Sequence, residues 1–155
     1  MAGTAQPLPH CYRVRAAGAA TGPVTLASDG VAELASEAPP EFGGPQGYWS
    51  PETLFAAAVA DCYILSFRAV ARASKLEWLQ LDVDVEALLE RADGVTRFTR
   101  VTIAPRLGIP PAVLESVAIG VLEKAKRVCL VTNSLNSECA LATLVYSVAD
   151  AGAAG

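Results

Sequence analysis

One histidine, His10, is all that the 155 residues contain, and it sits in a Pro- and Gly-containing N-terminal stretch that reads as a tail. A Ser-His-Asp triad or a histidine general base is therefore not expected. Metal-ligand spacing is missing too, with no Cys-x-x-Cys and no His-x-x-x-His, so no metal is expected. Neither a Gly-x-Gly-x-x-Gly run nor a P-loop is present, which removes support for a nucleotide cofactor. Charged residues make up only 18%, and the net charge of -4 comes with Lys and Arg scattered rather than clustered. The basic footprint of a nucleic-acid partner is absent.

Long apolar runs are also lacking. The most apolar stretch, Leu54 to Phe67, covers 14 residues and contains Asp61, short of the roughly 20 that span a bilayer. It reads as a buried core helix, and no membrane partner is expected. The N-terminus has neither the basic start nor the continuous apolar core of a secretory signal, so the expected compartment is the cytoplasm.

What the chain does have is apolar surface, with 52% hydrophobic residues and a mean hydropathy of +0.35. A single domain over residues 1–155, its ordered core about 12–149, has difficulty covering that much surface alone. An intimate oligomer is expected. Four cysteines, Cys11, Cys62, Cys129 and Cys139, in a chain without an export signal point to redox or catalytic use, or to plain burial, rather than to a structural disulfide framework.

Along the chain, Tyr12 to Ala16, Val24 to Ala27 and Val31 to Leu34 alternate as short strands, the last two around the turn Ser28-Asp29-Gly30. A loop from Glu37 to Ser50 follows, long enough to be functional or to cross to a partner subunit. Ser50-Pro51-Glu52 is a helix start, and a helix from Pro51 to about Ser74, apolar nearly all round through Phe67, is expected to be central and buried on every side. Trp78 to Glu86 and Val95 to Ile103 form an antiparallel hairpin through Ala92-Asp93-Gly94, the second strand stopping before Pro105. Pro110-Pro111 opens a second helix, with Leu114, Val117, Val121, Leu122, Ala125 and Val128 at helical spacing and Cys129 at or just past its last turn. Ala140 to Ala149 is a final strand, and the fold class is α+β, helices against an antiparallel sheet.

Two cysteines have settings that chemistry could use. Cys62 lies in the central helix, in Ala60-Asp61-Cys62-Tyr63, where an inert core cysteine is the plain alternative. Cys129 follows Lys124, Lys126 and Arg127, whose charges would favour a thiolate; a cysteine that fills the helix end is its plain alternative. Cys11, in the tail, and Cys139, at a strand entry, read as structural.

The run Ser50-Pro51-Glu52-Thr53-Leu54-Phe55-Ala56-Ala57, with Cys62 ten residues after Glu52, resembles the Asn-Pro-Glu motif of the OsmC/Ohr family. Ala125-Lys126-Arg127-Val128-Cys129, continuing to Leu135, is similar to that family's second cysteine segment. The resemblance covers about residues 12–149. It implies an OsmC-like fold, antiparallel sheets wrapped around central helices in an intertwined homodimer. It implies also a thiol peroxidase that needs no metal or flavin. Cys62 would attack an organic hydroperoxide, or hydrogen peroxide as in some members of the family, and become a sulfenic acid. Cys129 would close a disulfide with it, and a small or protein dithiol, a lipoylated protein among the candidates, would reduce that disulfide.

Ten helical residues place Glu52 about 15 Å along the axis from Cys62, so a shared site requires Glu52 of a second subunit. Otherwise Glu52 is only a helix N-terminal acid. The family's arginine is missing at both expected places, Ala20-Thr21-Gly22-Pro23 and Pro40-Glu41-Phe42-Gly43. Leu130 replaces the proline after the second cysteine, and Ser50 replaces Asn. These departures keep open an alternative, a protein of the same fold that binds a hydrophobic ligand with little or no peroxidase activity.

Overall fold

The computed structural model describes residues 4–149. The chain forms two compact units, one ending at Pro51 and one beginning at Glu52.

The first unit carries a three-stranded antiparallel sheet, β1 (Arg15–Ala17), β2 (Val24–Ala27) and β3 (Leu34–Ser36), with β2 in the middle. β2 lies where its alternation placed it. β1 and β3 are displaced toward the C-terminus from the expected Tyr12–Ala16 and Val31–Leu34. Gly30 takes a positive φ in the turn, but the connection from Ser28 to Glu33 is longer than a tight hairpin loop, which moves the pairing on to Leu34. The loop from Glu37 to Ser50 folds back on the sheet through a Ser36–Trp49 bridge and a 2.9 Å bond from the Glu37 N–H to the Trp49 carbonyl. Gly44 is required there, since a Cβ would stand 1.7 Å from the Ala38 carbonyl oxygen.

The second unit is built around α1 (Pro51–Ala73), which matches its predicted span to one residue. The mean hydropathy of its most apolar 18-residue window is 1.6, so by length and composition alone it could cross a membrane, although it carries Asp61, Arg68 and Arg72. Its residues pack instead as a core helix packs. Val59, Tyr63, Phe67, Val70 and Ala71 form one buried stripe at helical spacing. The expectation of burial on every side is not met in the protomer: Leu65, for one, is 53% exposed.

The hairpin is longer than its alternation suggested. β4 (Gln80–Ala92) and β5 (Val95–Ile109) pair antiparallel along their whole lengths. Asp93 and Gly94, both at positive φ, make the two-residue turn that suits strand twist. The strand passes through Pro105 rather than stopping before it. On the edge of β5 away from β4, β6 (Glu138–Leu141) pairs with residues 100–103 and β7 (Leu144–Ser147) with residues 106–109, both parallel. Pro105, which has no N–H to give, lies at the gap between them. The sheet is thus mixed, and the expected final strand is two short ones broken at Ala142-Thr143. Parallel pairing needs a crossover, and α2 (Glu115–Val128) supplies it.

α2 starts later than Pro110-Pro111, which form a turn closed by a 3.0 Å bond from the Val113 N–H to the Pro110 carbonyl. Its buried face is Ala118, Val121, Leu122 and Ala125, while Leu114, Val117 and Val128 are exposed. The small side chain of Ala118 was the part of this face that apolar spacing of large residues overlooked. α1, β5 and α2 share one core, in which Tyr63, Phe67, Ile103, Leu107 and Leu122 are fully enclosed. Phe55 stacks on Phe98 at 4.3 Å, and Phe67 meets Trp78 edge-on at 5.2 Å.

The Tyr63 hydroxyl donates to the Leu122 carbonyl at 2.9 Å inside this core. Tyr63→Phe is expected to lower unfolding stability by about 0.5–1.5 kcal/mol, the net range for one buried hydrogen bond whose acceptor keeps its helical partner. Urea denaturation measures it as a lower midpoint with an unchanged slope.

Candidate functional site

Tyr63 and Leu122 bring the middle of α1 against α2, and their neighbours in sequence are the two cysteines singled out above. Cys62 precedes Tyr63, and Cys129 follows Leu122 by two helical turns, at the C-cap of α2. The two thiols are neighbours that act on each other's acidity, and the Val131 backbone N–H acts on both. Ser66 Oγ, one turn along α1, lies 3.9 Å from Cys62 Sγ. The four cysteines are free thiols.

The members of the pair differ in access. Cys62 is half-buried and Cys129 is fully enclosed. They differ in acidity as well. Burial pushes the Cys62 thiol up, and the neighbouring Cys129 pushes it further, against the pull of the Val131 N–H and the Ser66 hydroxyl. Burial pushes Cys129 up too, but the Thr132 N–H and hydroxyl, the Cys62 thiol and the Val131 N–H together bring it below the ordinary thiol range. The Thr132 hydroxyl also reaches the Cys129 carbonyl at 3.0 Å, and its single hydrogen can serve only one of these acceptors at a time.

A source of acidity differs from the sequence reading, in which Lys124, Lys126 and Arg127 favoured the Cys129 thiolate. The groups that lower it are the backbone and hydroxyl donors of the turn at Thr132–Ser134. Lys126 acts on Cys139 instead. Ser66, Val131 and Thr132 were not identified from sequence. Ser66 could have been, since it stands four residues after Cys62 on one helix face.

Glu52 sits in the first turn of α1, and its Oε2 is buried without a hydrogen-bond partner. Because α1 is unbroken from Pro51 to Ala73, Glu52 is about 15 Å along the axis from Cys62 of the same chain. The structure joins Cys62 to Cys129 and leaves Glu52 apart. Cys11 is exposed in the N-terminal segment. Among the described residues no group of three or more His, Cys, Asp or Glu side chains is arranged to hold a metal ion.

The sequence matches the OsmC family, described as OsmC-like protein, over residues 43–143, well over half its length. The chain belongs to the OsmC family. Solved OsmC-like structures superpose on most of it. An organic hydroperoxide resistance protein from Legionella pneumophila is 27% identical, with 92% of this chain and 100% of that one covered and a TM-score of 0.70. One from Elizabethkingia anophelis is 23% identical, covering 91% and 100%, also at 0.70. An OsmC-like protein from Mycoplasma pneumoniae, at 16% identity and 92% and 100% coverage, reaches 0.76, which shows the shared fold. No curated protein matches the sequence.

Because Cys129 pushes its neighbour up, Cys129→Ala is expected to move the pH midpoint of Cys62 alkylation by iodoacetamide downward. The sign follows from removing a negative neighbour from a group that must itself become negative. Peptide mapping of the alkylated protein at stepped pH reads it directly.

Proposed function

We propose that this OsmC-family chain is a thiol peroxidase that reduces organic hydroperoxides. The observation that carries the reading is the neighbouring thiol pair, one member open to a substrate and the other enclosed. A hydroperoxide can reach Cys62 but not Cys129. The Cys62 thiolate attacks the O–O bond; an S–O bond forms, the O–O bond breaks, and the alkoxide leaves and takes up a proton to become the alcohol. Cys129 then attacks the sulfenic sulfur, the S–S bond forms and water leaves. A dithiol reductant returns both thiols and leaves as its own disulfide. The chemistry needs no metal or flavin, and a cytoplasmic setting supplies such dithiols.

The functional unit of this reading is a homodimer. Leu65 and other apolar side chains stay open in the protomer, and an apolar surface of that kind favours a partner. A buried carboxylate oxygen without a donor, as at Glu52, is costly in a single chain. A second subunit that brings its cysteine pair beside Glu52 supplies the donor, the Cys62 thiol, and the carboxylate then accepts the proton that Cys62 gives up, although it does not replace the positive charge of the arginine missing at the family positions. Glu52→Gln is then expected to lower kcat/KM for hydroperoxide at least about tenfold, the equivalent of one lost interaction of about 1.4 kcal/mol in the transition state. Steady-state peroxide consumption measures it, and full activity would remove Glu52 from the site.

The missing arginine and the raised Cys62 favour a second reading, a binding protein for a hydrophobic ligand whose thiols turn over slowly. One experiment separates the two. Reduced protein mixed with one equivalent of cumene hydroperoxide should lose two thiols per chain within minutes and yield a Cys62–Cys129 peptide by mass spectrometry. Cys62→Ser should abolish consumption, and Cys129→Ser should leave Cys62 open to over-oxidation to the sulfinic acid. Unchanged thiols would sink the peroxidase reading in favour of binding.

A further inference from the structure

Cys62 does not stand alone on its side of α1. Ser66 is one turn further along the same unbroken helix, and a spacing of four residues puts the two side chains one above the other. Ser66 Oγ lies 3.9 Å from Cys62 Sγ, and both residues are half-buried, with the exposed Leu65 and Ala69 beside them. A helical serine can spend its hydroxyl on the carbonyl four residues earlier. Here the hydroxyl is directed at a sulfur instead, and among the described residues the Cys62 thiol is its one hydrogen-bond partner. At that distance the contact is long, so little holds the hydroxyl at rest.

The gap between the two atoms has a width that chemistry can use. An oxygen about 3 Å from the sulfur can stand about 3 Å from the hydroxyl as well, which is the arrangement required of a nucleophile and an oxyanion donor that share one reacting group. Electrostatics agree in sign, since the Ser66 hydroxyl favours the charged form of Cys62 while Cys129 disfavours it.

We propose that Ser66 is a further catalytic residue, whose hydroxyl donates a hydrogen bond to the departing oxygen of a hydroperoxide under attack by Cys62. The proposal rests on the peroxidase reading above. The Cys62 thiolate attacks the terminal oxygen, the S–O bond forms and the O–O bond breaks. The electron pair of the broken bond goes to the other oxygen, which leaves as alkoxide. Ser66 keeps its proton and shares it with that oxygen while the charge grows there, and the alkoxide then takes up a proton from water.

The test compares two reactions of the same sulfur in reduced full-length protein. Single-turnover mixing with cumene hydroperoxide, read as loss of the Cys62 thiol in peptide maps, gives the rate of attack on a peroxide. Alkylation of Cys62 by iodoacetamide gives its rate toward a reagent whose leaving group is iodide. Both are taken on the high-pH plateau, where Cys62 is ionised in every variant and a change in its acidity does not enter. Ser66→Ala is expected to slow the peroxide reaction at least about tenfold and alkylation less than about twofold, since one lost oxyanion donor costs roughly 100-fold or more in a fully preorganised site. Ser66→Thr, which returns the hydroxyl, is expected to recover most of the loss. Equal slowing of both reactions would make Ser66 a packing residue and overturn the proposal. An unchanged peroxide rate in Ser66→Ala, or a loss that Ser66→Thr does not recover, would overturn it too. If the unsubstituted protein is alkylated at Cys62 but leaves cumene hydroperoxide untouched, it is the peroxidase reading that fails, and the role of Ser66 falls with it.

Discussion

The contact between Tyr63 and Leu122 sets the relation on which the rest of the second unit depends. It is a hydrogen bond inside an apolar core, donated by a side chain of α1 to the backbone of α2, and it fixes the helices in depth and rotation at once. Sliding either helix by one residue would leave the Tyr63 hydroxyl without an acceptor in a place water does not reach. The position of Cys62 follows from being next to Tyr63, and that of Cys129 from standing two turns beyond Leu122. The geometry of the thiol pair is thus inherited from a packing contact that takes no part in chemistry.

The pair divides two properties that a single cysteine would have to combine. Access belongs to Cys62 and ready ionisation to Cys129, because the turn after α2 offers its N–H groups and the Thr132 hydroxyl to the enclosed sulfur. A negative charge held at Cys129 costs Cys62 acidity, so whatever stabilises a thiolate at Cys62 must come from beyond these neighbours. Glu52 with its unpaired oxygen and the open apolar side chains of α1 are features of the same chain that a second subunit would explain together.

Much of this was legible in the sequence where a local rule acts alone. The Ser-Pro-Glu start and unbroken apolar pattern located α1 to a residue, and the Asp93-Gly94 turn with the alternation before it located the hairpin. Legibility failed where a neighbour distant in sequence decides. Pro105 looked like a strand end because the change of partner from β6 to β7 on the other edge of β5 cannot be read from the strand itself. The buried face of α2 turned on Ala118, too small to register against Leu114 and Val117. For the candidate site, motif spacing singled out Cys62, Cys129 and Glu52 as candidates, whereas the donors around Cys129 lie in an irregular turn whose N–H directions no side-chain pattern reports.

The tight Asp93-Gly94 turn also orders events in time. It joins two strands that pair residue after residue from the turn outward, contacts of low sequence separation that close on a microsecond scale. Cys62 and Cys129, by contrast, are 67 positions apart and lie on opposite sides of that hairpin in the chain. They meet only when α1 and α2 dock on a sheet already formed. The thiol pair is thus assembled by contacts of far higher sequence separation than those that close the hairpin.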